Sequence, residues 1–288
     1  MGYRPNAAAQ SVRSGRLDAI GLLLAARHDR SILTKEILTG ILSVTADQNL
    51  RLVLEQVGDG QPKPPLLLGA RTCDGLLIHY NAEIPARLEE LAACARVPTV
   101  WMNSKHAHNC VYPDDFGAAQ SLVTRLIAAG HRHIAYADYT RANNCPSPHY
   151  SNADRFGGYE RALRRHGLAP RRLDTDHFME RPERVAHSAA WLARRDAPTA
   201  VLCYTRQTAE SIAHAMRLAG GNGRRGKRVE VFAFDAFCGD DGPYEWTALE
   251  IPMNRMGCEA TRLLLALMDD PLKKAPPLAL PFKLPAVT

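Results

Sequence analysis

Residues 198–220, PTAVLCYTRQTAESIAHAMRLAG, decide the fold class of this 288-residue chain. The first part, PTAVLCYT, is a short apolar run typical of a strand that is buried on both faces. The second part, RQTAESIAHAMRLAG, repeats small and apolar residues at helical spacing and stops at Gly220, a residue type that commonly ends helices. A buried strand followed at once by a helix indicates a parallel β-sheet with covering helices.

The same alternation runs along most of the chain, with strand-like runs such as DAIGLLLA (18–25), CDGLLIHY (73–80) and VEVFAFD (229–235). About ten strands are too many for one comfortable sheet, so we predict an α/β protein with two parallel sheets in two lobes. The break is expected near HNCVYPDD (108–115). The predicted division is a linker over 1–17, an N-terminal lobe over 18–112 plus 252–270, a C-terminal lobe over 113–251 and an extended tail over 271–288.

The composition is that of a globular chain, with 46% hydrophobic and 23% charged residues. No apolar run reaches the ~18 residues that a membrane helix needs, and the first residues do not form a secretory signal. The seven cysteines are scattered, so we expect reduced thiols in a cytoplasmic protein. The net charge of +6 favours anionic partners, nucleic acid first, although a solvated arginine-rich surface is the alternative.

Ligands of open parallel sheets bind beyond the carboxyl ends of the strands. Two lobes facing each other would therefore make a ligand cleft, lined by the residues that follow each strand. The expected lining segments are 26–30, 79–81, 103–106, 138–144, 204–207 and 235–237.

Several motifs occur in a characteristic order: GYRPNAAAQSVRSGR (2–16), LIAAGHRHIAY (126–136), RFGGYERALRRHGL (155–168) and IPMNRMGCEA (251–260). Together they resemble the lactose-repressor (LacI/GalR) family of bacterial transcription regulators. The core of that family is similar to the type I periplasmic sugar-binding proteins, so the resemblance implies two Rossmann-like lobes with a ligand cleft between them. The angle between the lobes would respond to the effector and set DNA affinity.

The resemblance also gives the first residues a role as the hinge that enters the DNA minor groove. Asn6 would cap a hinge helix, Arg13 would reach the DNA, and Val12 would stand where relatives usually place a leucine wedge. Valine is shorter than leucine, and a frayed chain end is the alternative. The family's helix-turn-helix headpiece is missing from this chain, and operator DNA would be bound through it.

For the effector site, the resemblance points to an arginine that clamps the ligand, Arg155, and to a carboxylate that accepts ligand hydroxyls, Asp235. A surface charge and a turn-capping carboxylate are the respective alternatives. A lone aromatic near the stacking position, Phe178, is more often part of a core. The complete predicted effector set is Asp29, Asn103, His149, Ser151, Arg155, Phe178, Thr205, Arg206 and Asp235.

The motif YTRQ (204–207) departs from the family, which usually reads NDxxA here. Arg206 replaces a carboxylate by a guanidinium, so together with Arg155 it would leave an excess of buried positive charge. We therefore expect a sugar acid or sugar phosphate as effector, with a plain sugar or a nucleobase as further possibilities. Alternatively, Arg206 points to solvent, or Asp235 neutralises it and a neutral ligand or none is bound.

No catalytic residue, metal site or cofactor is predicted. The histidines of HAHNC (106–110) and HRH (131–133) lack zinc-ligand spacing, and no nucleotide-binding or hydrolase motif is present. The favoured function is a ligand-responsive, repressor-like DNA-binding regulator that forms a homodimer through the first lobe and the apolar helix 252–268. The alternatives are a solute-binding protein of a transport system and an enzyme with a Rossmann-like fold.

Overall fold

The computed structural model describes residues 16–25, 33–57, 64–69, 72–80, 84, 86–139, 149–174, 179–219, 229–235 and 245–287. The chain divides into two compact units. Unit 1 comprises Met1–Pro113 and Met253–Leu280, and unit 2 comprises Asp114–Pro252 and Pro281–Thr288. Each unit has its own parallel sheet, which confirms the predicted α/β class.

The described residues form ten strands and eight helices. In chain order they are β1 (Ala19–Ala25), α1 (Lys35–Asp47), β2 (Arg51–Val57), α2 (Leu66–Gly69), β3 (Gly75–His79), α3 (Ala86–Cys94), β4 (Thr99–Met102), β5 (Cys110–Pro113), α4 (Asp115–Ala128), β6 (Ile134–Ala137), α5 (Tyr150–Arg165), α6 (Arg181–Leu192), β7 (Ala200–Cys203), α7 (Arg206–Leu218), β8 (Glu230–Asp235), β9 (Thr247–Glu250), α8 (Met253–Asp269) and β10 (Leu278–Leu280).

Local sequence explains where several helices begin and end. The side chain of Asp114 caps α4 by accepting a hydrogen bond from the backbone N–H of Gly117 at 2.9 Å. The predicted stops at Gly130 and Gly167 have φ of +99° and +69°, the left-handed conformation that glycine adopts without strain. Gly220 lies outside the described residues.

The sheet of unit 1 has the order β10-β5-β4-β3-β1-β2. Helices α1 and α8 cross in backbone contact, since a Cβ on Gly40 would come within 2.1 Å of the Asn254 carbonyl oxygen. The apolar residues of α8 are buried in this unit, namely Met256, Ala260, Leu264 and Leu267. The sequence analysis expected the apolar residues of α8 to form a dimer contact, but most of them are buried in the core of unit 1.

The sheet of unit 2 has the order β6-β7-β8-β9. One face packs on α4 and α5, and the opposite face packs on α6 and α7. Helices α4 and α5 also touch at their backbones, because a Cβ on Gly158 would lie 2.2 Å from the Phe116 carbonyl oxygen. This contact brings the first turn of α4 beside α5.

The break expected near 108–115 coincides with the boundary between the two units, which lies between Pro113 and Asp114. The same stretch also contains strand β5, whose Cys110 and Val111 are fully buried. Two other local expectations need correction. Strand β2 is mostly exposed rather than buried, because it forms an edge of its sheet. The segment 271–288 is built into the units: β10 pairs with β5, and Phe282 and Leu284 pack in the core of unit 2.

Candidate functional site

The carboxyl ends of the unit 2 strands carry buried acidic and aromatic residues. Asp138 follows β6 and is 1% exposed, and Asp235 ends β8 and is 8% exposed. Tyr204 follows β7 between them. Since parallel strands end at the same edge of a sheet, these side chains lie where such folds bind ligands.

Arg155 of α5 is the best-fixed charge at this edge, with only 7% of its surface exposed. Its Nε donates to Asp115 Oδ1 at 2.6 Å, and its Nη1 donates to the Tyr204 carbonyl at 2.7 Å. The guanidinium also lies 4.1 Å from the Phe234 ring centroid. Burial opposes its charge, but Asp115 and the nearby tyrosines outweigh burial and raise the pKa of Arg155. Arg155 is therefore a charged, oriented group with its own counter-ion.

The first turn of α5 adds a chain of hydrogen bonds to the same edge. His149 Nδ1 and Ser151 Oγ are 2.8 Å apart, and Ser151 Oγ is 3.1 Å from the Tyr204 hydroxyl. Asn152 donates from Nδ2 to Asp138 Oδ2 at 2.8 Å. Burial, partly offset by Arg155, raises the pKa of Tyr204, so its hydroxyl stays neutral. This surface offers hydroxyls and carboxylates that can exchange hydrogen bonds with a polar ligand.

Arg206 begins α7 and behaves differently from Arg155. Its side chain is 44% exposed, its Nε is 3.1 Å from Glu210 Oε1, and its Nη1 is 3.9 Å from Asp235 Oδ2. The preceding Thr205 has its hydroxyl 3.3 Å from that of Thr208. The anion argument from the sequence assumed two buried guanidiniums beside a single aspartate. The structure corrects this premise, because carboxylates lie beside both arginines and the Arg206 side chain is half exposed.

The residues that meet at this edge are called the edge cluster here and are Asp115, Asp138, Ser151, Asn152, Arg155, Tyr204 and Asp235. Ser151, Arg155 and Asp235 come from the predicted set, and His149 and Arg206 adjoin the cluster. Asp115, Asp138, Asn152 and Tyr204 were missed as individual contacts, although Asp138 and Tyr204 lie in segments that the sequence analysis expected to line a ligand cleft. The only sequence signal for Asp115 was its place directly after the capping residue of a helix.

Asn103 belongs to unit 1, at the carboxyl end of β4. It has a φ of +58° and is buried, and its backbone N–H donates to the Val111 carbonyl at 2.9 Å. It therefore lies at the carboxyl edge of the unit 1 sheet, and its contact with an effector stays a prediction. The predicted residues Asn6, Val12, Arg13, Asp29 and Phe178 lie outside the described residues.

The histidine motif HAHNC has a structural explanation within unit 1. The His106 ring stacks on Trp101 with centroids 4.3 Å apart, and Cys110 Sγ donates to the His106 carbonyl at 3.3 Å. Burial lowers the pKa of His106, although Glu89 opposes this shift. In the described part of the chain, no three histidine, cysteine or acidic side chains are grouped as metal ligands.

A family model described as the periplasmic binding protein-like domain matches residues 123–285. The chain belongs to this family. Catabolite control protein A of Priestia megaterium is 26% identical over 279 residues, which cover 93% of this chain and 80% of that protein. The HTH-type transcriptional regulator AglR of Rhizobium meliloti (strain 1021) is 29% identical over 228 residues, which cover 76% of this chain but only 62% of the relative.

Solved structures agree with this periplasmic-binding-protein-like fold. The lac repressor dimer bound to operator and the anti-inducer ONPF has a TM-score of 0.71 at 21% identity, over 98% of this chain and 96% of that chain. The complex of the transcriptional regulator CelR with cellobiose has a TM-score of 0.71 at 20% identity, over 97% of this chain and 88% of that chain. The resemblance to the lactose-repressor family is confirmed, and the regulator interpretation is favoured over the transport protein. AglR and CelR are both transcriptional regulators.

Among the described helices, none is both long enough and apolar enough to cross a membrane.

Proposed function

We propose that this chain is the effector-sensing core of a transcriptional regulator of the lactose-repressor type, and that the edge cluster of unit 2 contacts the effector. The relatives support the regulatory role, and the buried polar side chains at the strand ends support the place of binding. The whole protein would bind operator DNA. An effector changes DNA affinity only if it binds one of two protein states more tightly than the other.

The charge balance at the edge cluster favours an uncharged, hydroxyl-rich effector such as a neutral sugar. Arg155 is paired with Asp115, and Arg206 is paired with Glu210 near Asp235. With Asp138 included, four carboxylates stand against two guanidiniums. Carboxylates accept hydrogen bonds from ligand hydroxyls but repel a second anion. This balance is the observation that carries the neutral-sugar proposal.

A thermal-shift panel tests the class of effector. Each neutral sugar is compared with its acid and its phosphate ester at equal ionic strength, because binding to the folded state raises the Tm by mass action. We expect at least one neutral sugar to raise the Tm while its two charged forms do not. Stabilisation by a charged form alone would contradict the proposal and restore the anionic effector.

Asp235→Asn tests the proposed site with the neutral sugar found in that panel. Loss of the carboxylate should weaken binding by about 1.5–3 kcal/mol, the usual contribution of a hydrogen bond to a charged group, measured by calorimetry. Glu160→Gln is the matched control, because Glu160 pairs with Arg164 on the outer surface of α5. Equal affinity for both variants would place the ligand away from the edge cluster.

We also propose that the chain forms a homodimer through α1 and β2 of unit 1. Exposed apolar residues lie on these consecutive elements, with Leu42 44%, Val53 37% and Leu54 48% exposed. Burial of such side chains stabilises association. Sedimentation should show a dimer that Leu54→Lys dissociates and that Leu218→Lys, on α7 of unit 2, leaves intact. A parent chain that sediments as a monomer at micromolar concentration would refute this contact.

A further inference from the structure

A second concave site lies at the outer edge of the unit 2 sheet, apart from the edge cluster. It is a cavity of about 340 Å³ between residues 171–174, helix α6 and the turn that follows α6. This volume is within the range of pockets that take small metabolites. None of its lining residues belongs to the edge cluster, so the inference below does not rest on the proposed effector site.

The frame of the cavity is built from fixed elements. Residues 171–173 run along β6, with Tyr136 N–H donating to the Arg171 carbonyl and Leu173 N–H donating to the Tyr136 carbonyl, both at 2.9 Å. The other wall is α6, where Trp191 is buried and its Nε1 donates to the Tyr139 hydroxyl at 3.1 Å. A sheet edge and a packed helix hold the lining in place, which is what a preorganised site requires.

The lining carries more positive than negative charge. Among the described lining residues, three guanidiniums, those of Arg171, Arg172 and Arg194, face two carboxylates, those of Asp174 and Asp196. Arg172 is held by Asp174 at 2.7 Å. Asp196 is shared, with its Oδ2 3.3 Å from Arg171 Nη1 and its Oδ1 3.0 Å from Arg194 Nε.

The shared carboxylate leaves hydrogen-bond donors for a further acceptor. Each guanidinium has five N–H donors. Arg171 uses Nη1 on the Asp196 carbonyl and carboxylate, and Arg194 uses Nε and Nη2 on the Asp196 carboxylate, so only part of the donors of each arginine is occupied by these contacts. The hydrogen bond from Arg194 lowers the pKa of Asp196, so this carboxylate remains ionised and keeps both guanidiniums near it. A ligand oxyanion would supply the second negative charge.

We propose that this cavity binds a small metabolite through an oxyanion, either a carboxylate or a phosphate, held by the guanidiniums of Arg171 and Arg194. Paired N–H donors of a guanidinium match the spacing of both oxyanions. The buried indole of Trp191 forms the apolar wall against which the body of the ligand would pack. The site is therefore distinct from the edge cluster in both position and charge.

The test is a titration of the full chain with inorganic phosphate and, separately, with citrate, followed by tryptophan fluorescence and Tm. Sodium chloride keeps the ionic strength constant, so that general screening does not contribute. We expect a saturable change with at least one probe. Binding of phosphate alone identifies a phosphate site, binding of citrate alone identifies a carboxylate site, and binding of both supports the shared chemistry.

Arg171→Gln and Arg194→Gln should each lower the affinity for the probe about tenfold or more, which is the effect of losing one charged hydrogen bond. The side chain of Arg194 is more than half exposed, so we expect its replacement to leave folding intact. Arg161→Gln is the matched control, because Arg161 is exposed on α5 and lies over the Phe116 ring instead of lining the cavity. The proposal is overturned if neither probe differs from chloride, or if the control loses as much affinity as the two cavity variants.

Discussion

Helices α5 and α7 both bring an arginine to the carboxyl edge of the unit 2 sheet, yet the two side chains differ in burial and in the origin of their counter-ions. Arg155 is 7% exposed, and its Nε donates a hydrogen bond to Asp115 at 2.6 Å. Asp115 belongs to α4 and lies 40 residues earlier in the sequence. The side chain of Arg206 is 44% exposed and pairs with Glu210, one turn further along its own helix.

The difference shows that the origin of the counter-ion determines the behaviour of each arginine. Asp115 reaches Arg155 because α4 and α5 pack at backbone distance, so the pair is buried and rigid. Glu210 can pair with Arg206 whether or not α7 is packed, so that pair remains at the surface and is screened by solvent. The first arrangement suits a binding site, because its groups are already oriented before a ligand arrives.

The largest effect should follow from breaking the buried pair. Asp115→Asn leaves the Arg155 charge uncompensated in the interior, so the free energy of unfolding should fall by about 3–5 kcal/mol, as measured by urea denaturation. Glu210→Gln, which breaks the exposed pair, should change it by about 0.5 kcal/mol or less. Comparable losses in the two variants would mean that the buried pair has no special role.

A second test keeps both charges and separates the helices that carry them. Gly158→Ala places a Cβ about 2.2 Å from the Phe116 carbonyl oxygen, so α4 must move away from α5. We expect a loss of about 3 kcal/mol in unfolding free energy. Gly157→Ala is the control, because its Cβ would meet only the Phe116 ring at 3.3 Å. That variant should be neutral or slightly stabilising, since alanine favours a helix over glycine by about 1 kcal/mol.

Alkaline pH should lower the free energy of unfolding, because buried tyrosines of unit 2 lose stability when they ionise. Burial raises the pKa of Tyr139 and of Tyr159 from 10.0 to about 12. Because the pKa is higher in the folded state, the neutral tyrosine stabilises the fold fully below pH 10. This contribution is lost as the pH rises from 10 through 12. Each tyrosine accounts for at most ~2–3 kcal/mol of this loss.

Urea unfolding at several alkaline pH values measures this loss, and tyrosinate absorbance reports the titration. Tyr139→Phe should reduce the slope of stability against pH in this range. An unchanged slope would show that Tyr139 is ionised equally easily in the folded and unfolded chain.

The smallest effect should come from Arg206. Arg206→Gln should change both the unfolding free energy and the affinity for a neutral sugar by less than about 1 kcal/mol, because an exposed, salt-screened ion pair contributes little. Calorimetry with the sugar from the thermal-shift panel provides the measurement. A larger loss of affinity, confined to ligand binding, would show that Arg206 turns toward the ligand in the bound state.

Local patterns were sufficient to predict much of the framework. The runs around 18–25, 198–205 and 229–235 form strands β1, β7 and β8, and the stops at Gly130 and Gly167 occur as expected. Periodicity and glycine stops are properties of a few neighbouring residues, so they can be recognised without knowing what packs against them. Strand β5 was missed because it is only four residues long, ends at Pro113 and is followed directly by the helix cap Asp114.

The candidate site was predictable only in part, because only some of its residues belong to local patterns. Arg155, Ser151 and Asp235 stand at positions next to strand or helix ends, which the sequence makes visible. Their partners come from other elements: Asp115 from α4 and the Tyr204 carbonyl from the end of β7. No local pattern encodes such pairings, and the expected excess of positive charge was wrong for that reason.

The sequence by itself determined the alternation of strands and helices, the two parallel sheets and the family, because these depend on residue type and spacing along the chain. Only the tertiary structure decided which charges are neutralised. The close crossing of α4 and α5 at Gly158 delivers Asp115 to Arg155, and the end of β8 places Asp235 near Arg206. Electrostatic energy depends on distance and burial, and both are set by packing between elements that are far apart in sequence.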